Sequence, residues 1–147
     1  MMVAAFSDPC CCWQALADAD KEFALRVAAK NGNAEVVAKL LAAGADVAVW
    51  DHYTLRYAST NGHTDVVTLL LAAGADVAAH NHEALRYASQ NGHATVVSML
   101  LAAGADVAVW DNYALRYARM NGYARMNGHA AVVSLLLAAG ADSGAWP

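Results

Sequence analysis

The chain has 147 residues, 59% of them apolar, 8% aromatic and 15% charged, with a formal charge of −4 at pH 7. That length suits one domain, the nine Lys and Arg are scattered without the basic stripe that nucleic acid requires, and no run of about eighteen apolar residues is present to span a membrane. No basic residue precedes Lys21, and Ser7, Asp8 and Pro9 interrupt what would be the apolar core of a signal peptide, so an intracellular, cytoplasmic location is expected.

Residues 1 to 19 stand outside the pattern that fills the rest of the chain. Asp8 followed by Pro9 has the form of an N-cap and first helical residue, which predicts a helix from Cys10 to Ala19 with Cys12, Trp13, Leu16 and Ala17 near one face. Cys10, Cys11 and Cys12 are adjacent, too close together to staple distant parts of a fold and without a second pair for a zinc site. They read as a reduced apolar patch, with palmitoylation and metal binding as weaker alternatives. The segment is expected to cap the first of the repeated units that begin at residue 20.

From that residue on, the chain repeats itself. Asn-Gly pairs stand at 31, 61, 91 and 127, each opening a motif of the form NGHTDVVTLLLAAGADV, so two steps of thirty residues are followed by one of thirty-six. Before each pair lies an alignable segment: Phe23-Ala-Leu-Arg-Val-Ala, Tyr53-Thr-Leu-Arg-Tyr-Ala, Glu83-Ala-Leu-Arg-Tyr-Ala and Tyr113-Ala-Leu-Arg-Tyr-Ala. In the second unit Leu55 and Ala58 share a helical face, which predicts a short helix from Tyr53 to Thr60, stopped by Asn61-Gly62. A second helix is expected from His63 or Thr64 to Ala73, with Asp65 favoured in its first turn by the partial positive charge there. Val66, Val67, Leu69, Leu70 and Leu71 make this helix apolar around most of its circumference, so neighbouring units must cover it. Gly74 ends it, and Ala75 to His80 turn the chain back. The units run about 20–49, 50–79, 80–109 and 110–147.

Leu55, Ala58, Gly62, His63, Val66, Val67, Leu70, Leu71, Gly74, Ala75 and Asp76 resemble the ankyrin repeat, and the likeness recurs fourfold over roughly residues 20 to 145. The wording is also similar to a thirty-residue ankyrin variant of giant DNA viruses. The resemblance implies a mainly α solenoid of stacked helix-turn-helix repeats that binds another protein through its concave face. The Thr-Pro-Leu-His tetrapeptide of the family is replaced by Tyr-Thr-Leu-Arg or Glu-Ala-Leu-Arg, and the repeats are three residues short of the usual thirty-three. Both departures fall where an inter-repeat hairpin would form, so short turns with little or no β-hairpin are expected.

The last unit carries a tandem duplication, Tyr117–Gly122 repeated at once as Tyr123–Gly128. Six residues advance a helix by about 600°, leaving later side chains about 120° out of register, so a bulged loop near Asn121 to Asn127 is expected instead of a longer helix. No polar final helix closes the stack, which leaves Val132, Val133, Leu135, Leu136 and Leu137 to expose apolar surface.

Arg26, Arg56, Arg86 and Arg116 recur once per unit, as do Asp46, Asp76, Asp106 and Asp142, and such like-charge ladders need interleaved opposite charge from the aspartates or from Asp51, Glu83 and Asp111. Fixing the inter-repeat turns is the bland role for them, and recognition of carboxylates the sharper one. His63, His93 and His129 follow glycine, but Asn33 takes that place in the first unit, an exchange that suits a hydrogen-bonding loop residue and not a metal ligand. No phosphate loop or catalytic constellation is present, so neither enzyme activity nor a cofactor or metal is expected.

Where the units differ, a partner has room to be recognised. The candidate partner-binding residues are Trp50, His52 and Tyr53, then His80, His82 and Glu83, then Trp110, Asn112 and Tyr113 in the turns, with Thr60, Gln90 and Met120 (Lys30 in the first unit) at the ends of the first helices. The resemblance sets these positions on the concave face, where Trp and Tyr dominate interface energetics. The alternative for Trp50 and Trp110 is that they shield the short turns. Binding of an unidentified protein is thus the leading function, and self-association into a homo-oligomer through the uncapped last repeat the alternative.

Overall fold

The computed structural model describes residues 15–48, 53–108, 114–116, 118 and 127–141, with the backbone alone at 127 and 128. Seven helices are described: α1 (Asp18–Asn31), α2 (Ala34–Ala42), α3 (Tyr53–Thr60), α4 (Thr64–Ala72), α5 (Ala79–Gln90), α6 (Ala94–Ala102) and α7 (Asn127–Ala138). Residues 114–116 and 118 are also helical. Among the described residues there is no strand, in keeping with the shortened repeats.

Each repeat folds as two antiparallel helices because glycine stops both. The α3 helix ends where Gly62 takes φ 74°, and the His63 N–H returns to the Ala58 carbonyl at 2.9 Å. The α4 helix ends at Gly74, φ 89°, with the Ala75 N–H bonded to Leu70 O at 3.0 Å. A left-handed residue at this point satisfies carbonyls that the helix itself leaves open. Asp76 then fixes the exit: its carboxylate accepts from the Ala78 N–H at 2.8 Å, and Asp46 and Asp106 do the same for Ala48 and Ala108. The recurring aspartates therefore hold the turns, the blander of their two roles.

The helices form two rows. First helices α1, α3 and α5 touch in series, and second helices α2, α4, α6 and α7 make the other row, with each first helix packed on its own second helix in the first three repeats. The core runs between the rows through Leu25, Leu55, Leu85 and Leu115 on one side and Leu40, Leu70, Leu100 and Leu136 on the other, all at 3% exposure or less. Burying each of these leucines stabilises the stack by about 1.5–3 kcal/mol.

The paired valines give the stack a direction. Val66, Val67, Val96 and Val97 are all buried, whereas in the first repeat Val36 is half-buried beside a buried Val37, and in the last Val132 is buried beside a half-buried Val133. The first valine of each pair thus faces the preceding repeat and the second faces the following one. Each end of the stack leaves open the valine that has no neighbour.

Three expectations need correction. The helix foreseen from Cys10 to Ala19 does not run through, because Ala15–Ala17 turn and Ala17 is extended (φ −61°, ψ 151°), so α1 starts at Asp18 with Asp18 and Asp20 in its first turn; Cys10 to Gln14 lie outside the described residues. The turn before the third repeat reaches further than foreseen. His80, Asn81 and His82 all take left-handed angles (φ 50°, 57° and 59°), and regular right-handed helix runs only from Glu83. Each such residue costs about 1–2 kcal/mol, although Asn and His are among the side chains that enter this region most readily. In the last repeat, α7 begins at Asn127, three residues ahead of the register set by Ala34, Thr64 and Ala94, so Asn127 belongs to helix and not to the expected bulge. Residues 121–126 lie outside the described residues.

Candidate functional site

The first-helix face carries a continuous row of rings and guanidinium groups. The Tyr53 ring stacks on Tyr57 one helical turn later, centroids 6.1 Å apart, and on His80 of the next repeat at 5.7 Å. Arg56 lies over Tyr53 at 4.1 Å and Tyr57 at 5.1 Å, and Arg86 over Tyr87 at 4.5 Å. Lys30 reaches the Tyr57 ring from the preceding repeat, 5.8 Å from its centroid. Contacts of this kind each contribute about 0.5–1 kcal/mol at exposed sites, and more when desolvated.

Charge repulsion along the row is relieved at Glu83. One carboxylate oxygen accepts from Arg56 at 3.0 Å and the other from Arg86 at 3.0 Å, with the three side chains 21–25% exposed. Burial works against the charged Arg56 guanidinium, but Glu83 and Tyr57 outweigh it and hold its pKa above the ordinary arginine value. The interleaved carboxylate that a ladder of arginines requires is therefore supplied, between these two repeats, by a residue at a variable position.

Six of the twelve sequence-predicted partner residues are described. Tyr53, His80 and Glu83 are brought together around Arg56. His82 points onward, its Nδ1 accepting from the Asp106 N–H at 3.3 Å. Thr60 and Gln90 sit at the far ends of their helices; the Thr60 hydroxyl donates to Arg56 O at 2.7 Å, and the Thr60 and Gln90 carbonyls accept from His93 and His129. Trp50, His52, Trp110, Asn112, Tyr113 and Met120 lie outside the described residues. Sequence reasoning misses Tyr57 and Tyr87 as parts of this face, because residues that agree between repeats read as architecture. The signal is present in the four-residue spacing from Tyr53 to Tyr57, which puts both rings on one helical face.

The loop histidines do what the Asn33 exchange implied. His63, His93 and His129 place Nε2 3.0, 3.0 and 2.9 Å from the carbonyls of Lys30, Thr60 and Gln90, each in the last turn of the preceding repeat's first helix. A carbonyl only accepts, so Nε2 carries the hydrogen. Asn61 and Asn91 donate to the same Lys30 and Thr60 oxygens at 3.1 and 2.8 Å. The first repeat has no such carbonyl before it among the described residues, and Asn33 instead caps its own helix, accepting from the Val36 N–H at 3.2 Å.

Among the described residues no three His, Cys, Asp or Glu side chains gather as a metal site, and no helix is long and apolar enough to cross a membrane. The cleft between Arg56, Asp76, His80 and Glu83 holds about 10 Å³, room for one water and not for a metabolite. What this face offers is breadth: rings and guanidinium groups spread over successive repeats, suited to a large surface.

A search of curated proteins found no match. The family model for ankyrin repeats, which spans three copies, matches residues 1–81 and again residues 25–111, and it agrees with the two rows of helices, the Gly-ended turns and the loop histidines that bind one repeat to the next. The chain belongs to the ankyrin repeat family.

Proposed function

We propose that the chain is a protein-binding module, acting without catalysis or a cofactor, whose partner lies along the first-helix face and the turns beside it. Ankyrin repeats generally serve as protein interaction modules. The observation that carries the reading is the Tyr53–Arg56–Tyr57–His80 cluster, which continues to Arg86 and Tyr87. Tyr and Arg are the residue types in which binding hot spots concentrate. By repeat register Trp50, His52, Trp110, Asn112, Tyr113 and Met120 extend the same stripe. We assign the module to the cell interior.

The test is a double substitution, Trp50→Ala with Trp110→Ala, in the immobilised chain. A partner retained by the wild type should be lost from the variant, with far-ultraviolet helical signal and melting cooperativity unchanged. Unchanged retention would remove the stripe as the binding site. Self-association through the last repeat is the second reading, favoured by the half-buried Val133 and by Leu137 at 37% exposure on the downstream end.

A further inference from the structure

The Asn-Gly pairs at 31, 61 and 91 occupy equivalent places in three successive repeats, and their backbones nearly coincide. Gly32, Gly62 and Gly92 take φ 75°, 74° and 77°, and their N–H groups reach back to the carbonyls of Ala29, Ser59 and Ser89 at 3.3, 3.2 and 3.2 Å. A histidine ring of the next repeat packs over each glycine. The asparagines Asn31, Asn61 and Asn91 are all exposed.

Their carboxamides differ in one respect. The Asn61 Nδ2 donates to the Lys30 carbonyl at 3.1 Å and the Asn91 Nδ2 to the Thr60 carbonyl at 2.8 Å, each in the preceding repeat. Asn31 has no repeat before it among the described residues, and among them its carboxamide has no hydrogen-bond partner.

Asparagine followed by glycine is open to attack on itself, because glycine has no Cβ to obstruct the approach of its nitrogen to the preceding side chain. The glycine nitrogen adds to the asparagine Cγ and gives its proton to water. The Cγ–Nδ2 bond breaks, Nδ2 takes up a proton and leaves as ammonia, and a cyclic imide remains. Water then opens the ring at either carbonyl to give aspartate or isoaspartate, with no oxidant or reductant involved. To reach the nitrogen the carboxamide must turn about its χ angles, and a hydrogen bond through Nδ2 opposes that turn.

We propose that Asn31 is a self-modification site, which cyclises on the Gly32 nitrogen while Asn61 and Asn91 are held back by their bonds to the preceding repeat. The stack tolerates the product at position 31 and not at the other two. At 61 or 91 a carboxylate would replace a donor and face a carbonyl oxygen, so a bond between repeats would be lost. At 31 the new charge instead falls on the open groove that Asn31 lines with Phe23, Val27 and Val36. The upstream end of the stack thus grows more acidic as the chain ages, with the bonds between repeats intact.

The test ages the purified full-length chain at neutral pH and follows each site separately. Tryptic cleavage after Lys30, Lys39, Arg56, Arg86 and Arg116 leaves Asn31, Asn61 and Asn91 in different peptides. Mass spectrometry reads conversion of amide to acid, and methyl transfer by an isoaspartate methyltransferase reads the isoaspartate. In the folded chain Asn31 should convert at least about fivefold faster than Asn61 or Asn91, the rate factor to which one net hydrogen bond corresponds. In concentrated guanidinium chloride, where those bonds are gone, the three sites should convert at similar rates. Equal rates in the folded chain would overturn the proposal. So would a lead for Asn31 that persists in denaturant, since local sequence and not the missing repeat contact would then be its cause. The variants Asn31→Asp and Asn61→Asp supply an independent reading. The first should melt with the wild type and the second below it, and equal losses or the reverse order would equally overturn the assignment.

Discussion

The Nε2 atom of His63 lies 3.0 Å from the carbonyl oxygen of Lys30, thirty-three residues earlier in the chain. That bond joins the loop of one repeat to the end of the preceding repeat's first helix, and it recurs from His93 to Thr60 and from His129 to Gln90. It also explains a glycine. A Cβ on Gly32 would come within 2.5 Å of the His63 ring, and one on Gly62 within 2.5 Å of the His93 ring.

Gly62 and Gly74 should therefore differ on substitution although both have positive φ. Gly74 has nothing within 4 Å of a Cβ, so Gly74→Ala bears only the backbone strain, about 1–2 kcal/mol. Gly62→Ala bears that strain and the clash with His93, and should cost about 3 kcal/mol. In the His93→Ala background the excess should vanish, although that change itself removes a hydrogen bond worth about 1 kcal/mol. Denaturant midpoints of the four variants complete the cycle, and equal costs at the two glycines would contradict the loop-to-ring packing.

Two buried hydroxyls should be dispensable. Ser59 and Ser89 are fully buried, and their Oγ atoms have no hydrogen-bond partner. The first repeat already carries Ala29 at this position, equally buried. Ser59→Ala removes an orphaned polar group and improves helix propensity, so it should be neutral or stabilise by up to about 1 kcal/mol. A loss above about 1 kcal/mol in chemical denaturation would mean that the hydroxyl has a partner.

Glu83 is a variable residue that stabilises the stack. Glu83→Gln keeps its shape but leaves Arg56 and Arg86 facing each other without the shared charge. The pairs are mostly shielded from solvent, and the loss should be about 1–2 kcal/mol at low salt, shrinking as salt screens the repulsion. Urea melts at low and high ionic strength check both parts. A cost independent of salt would assign the effect to packing.

The repeat period, the helix pairs and the Gly stops were legible in the sequence because each arises from local chemistry repeated four times. Position 33 was legible too, since an Asn where its counterparts are His implied a hydrogen-bonding loop residue. The left-handed turn at His80–His82 was not, because Asn and His visit that conformation as single residues, and three in succession follow no pattern that the sequence marks. The start of α1 escaped for another reason. Asp8 and Pro9 look like a helix start, but Asp18 and Asp20 provide a competing one further along the chain. At the candidate face, the variable-position logic found Tyr53 and His80 but passed over Tyr57 and Tyr87, which agree between repeats and still line the same surface. Agreement between repeats marks a residue that the stack needs, yet it does not keep that residue off the surface.

The measurement closest to the central claim, a discrete module that binds through its first-helix face and not through its ends, is solution mass by light scattering over a wide concentration range. The account predicts the mass of one 15.4 kDa chain throughout, unchanged in a Leu137→Glu variant. A mass that rises with concentration in the wild type and falls back to the monomer in Leu137→Glu would contradict it, and would make the downstream end of the stack the functional surface.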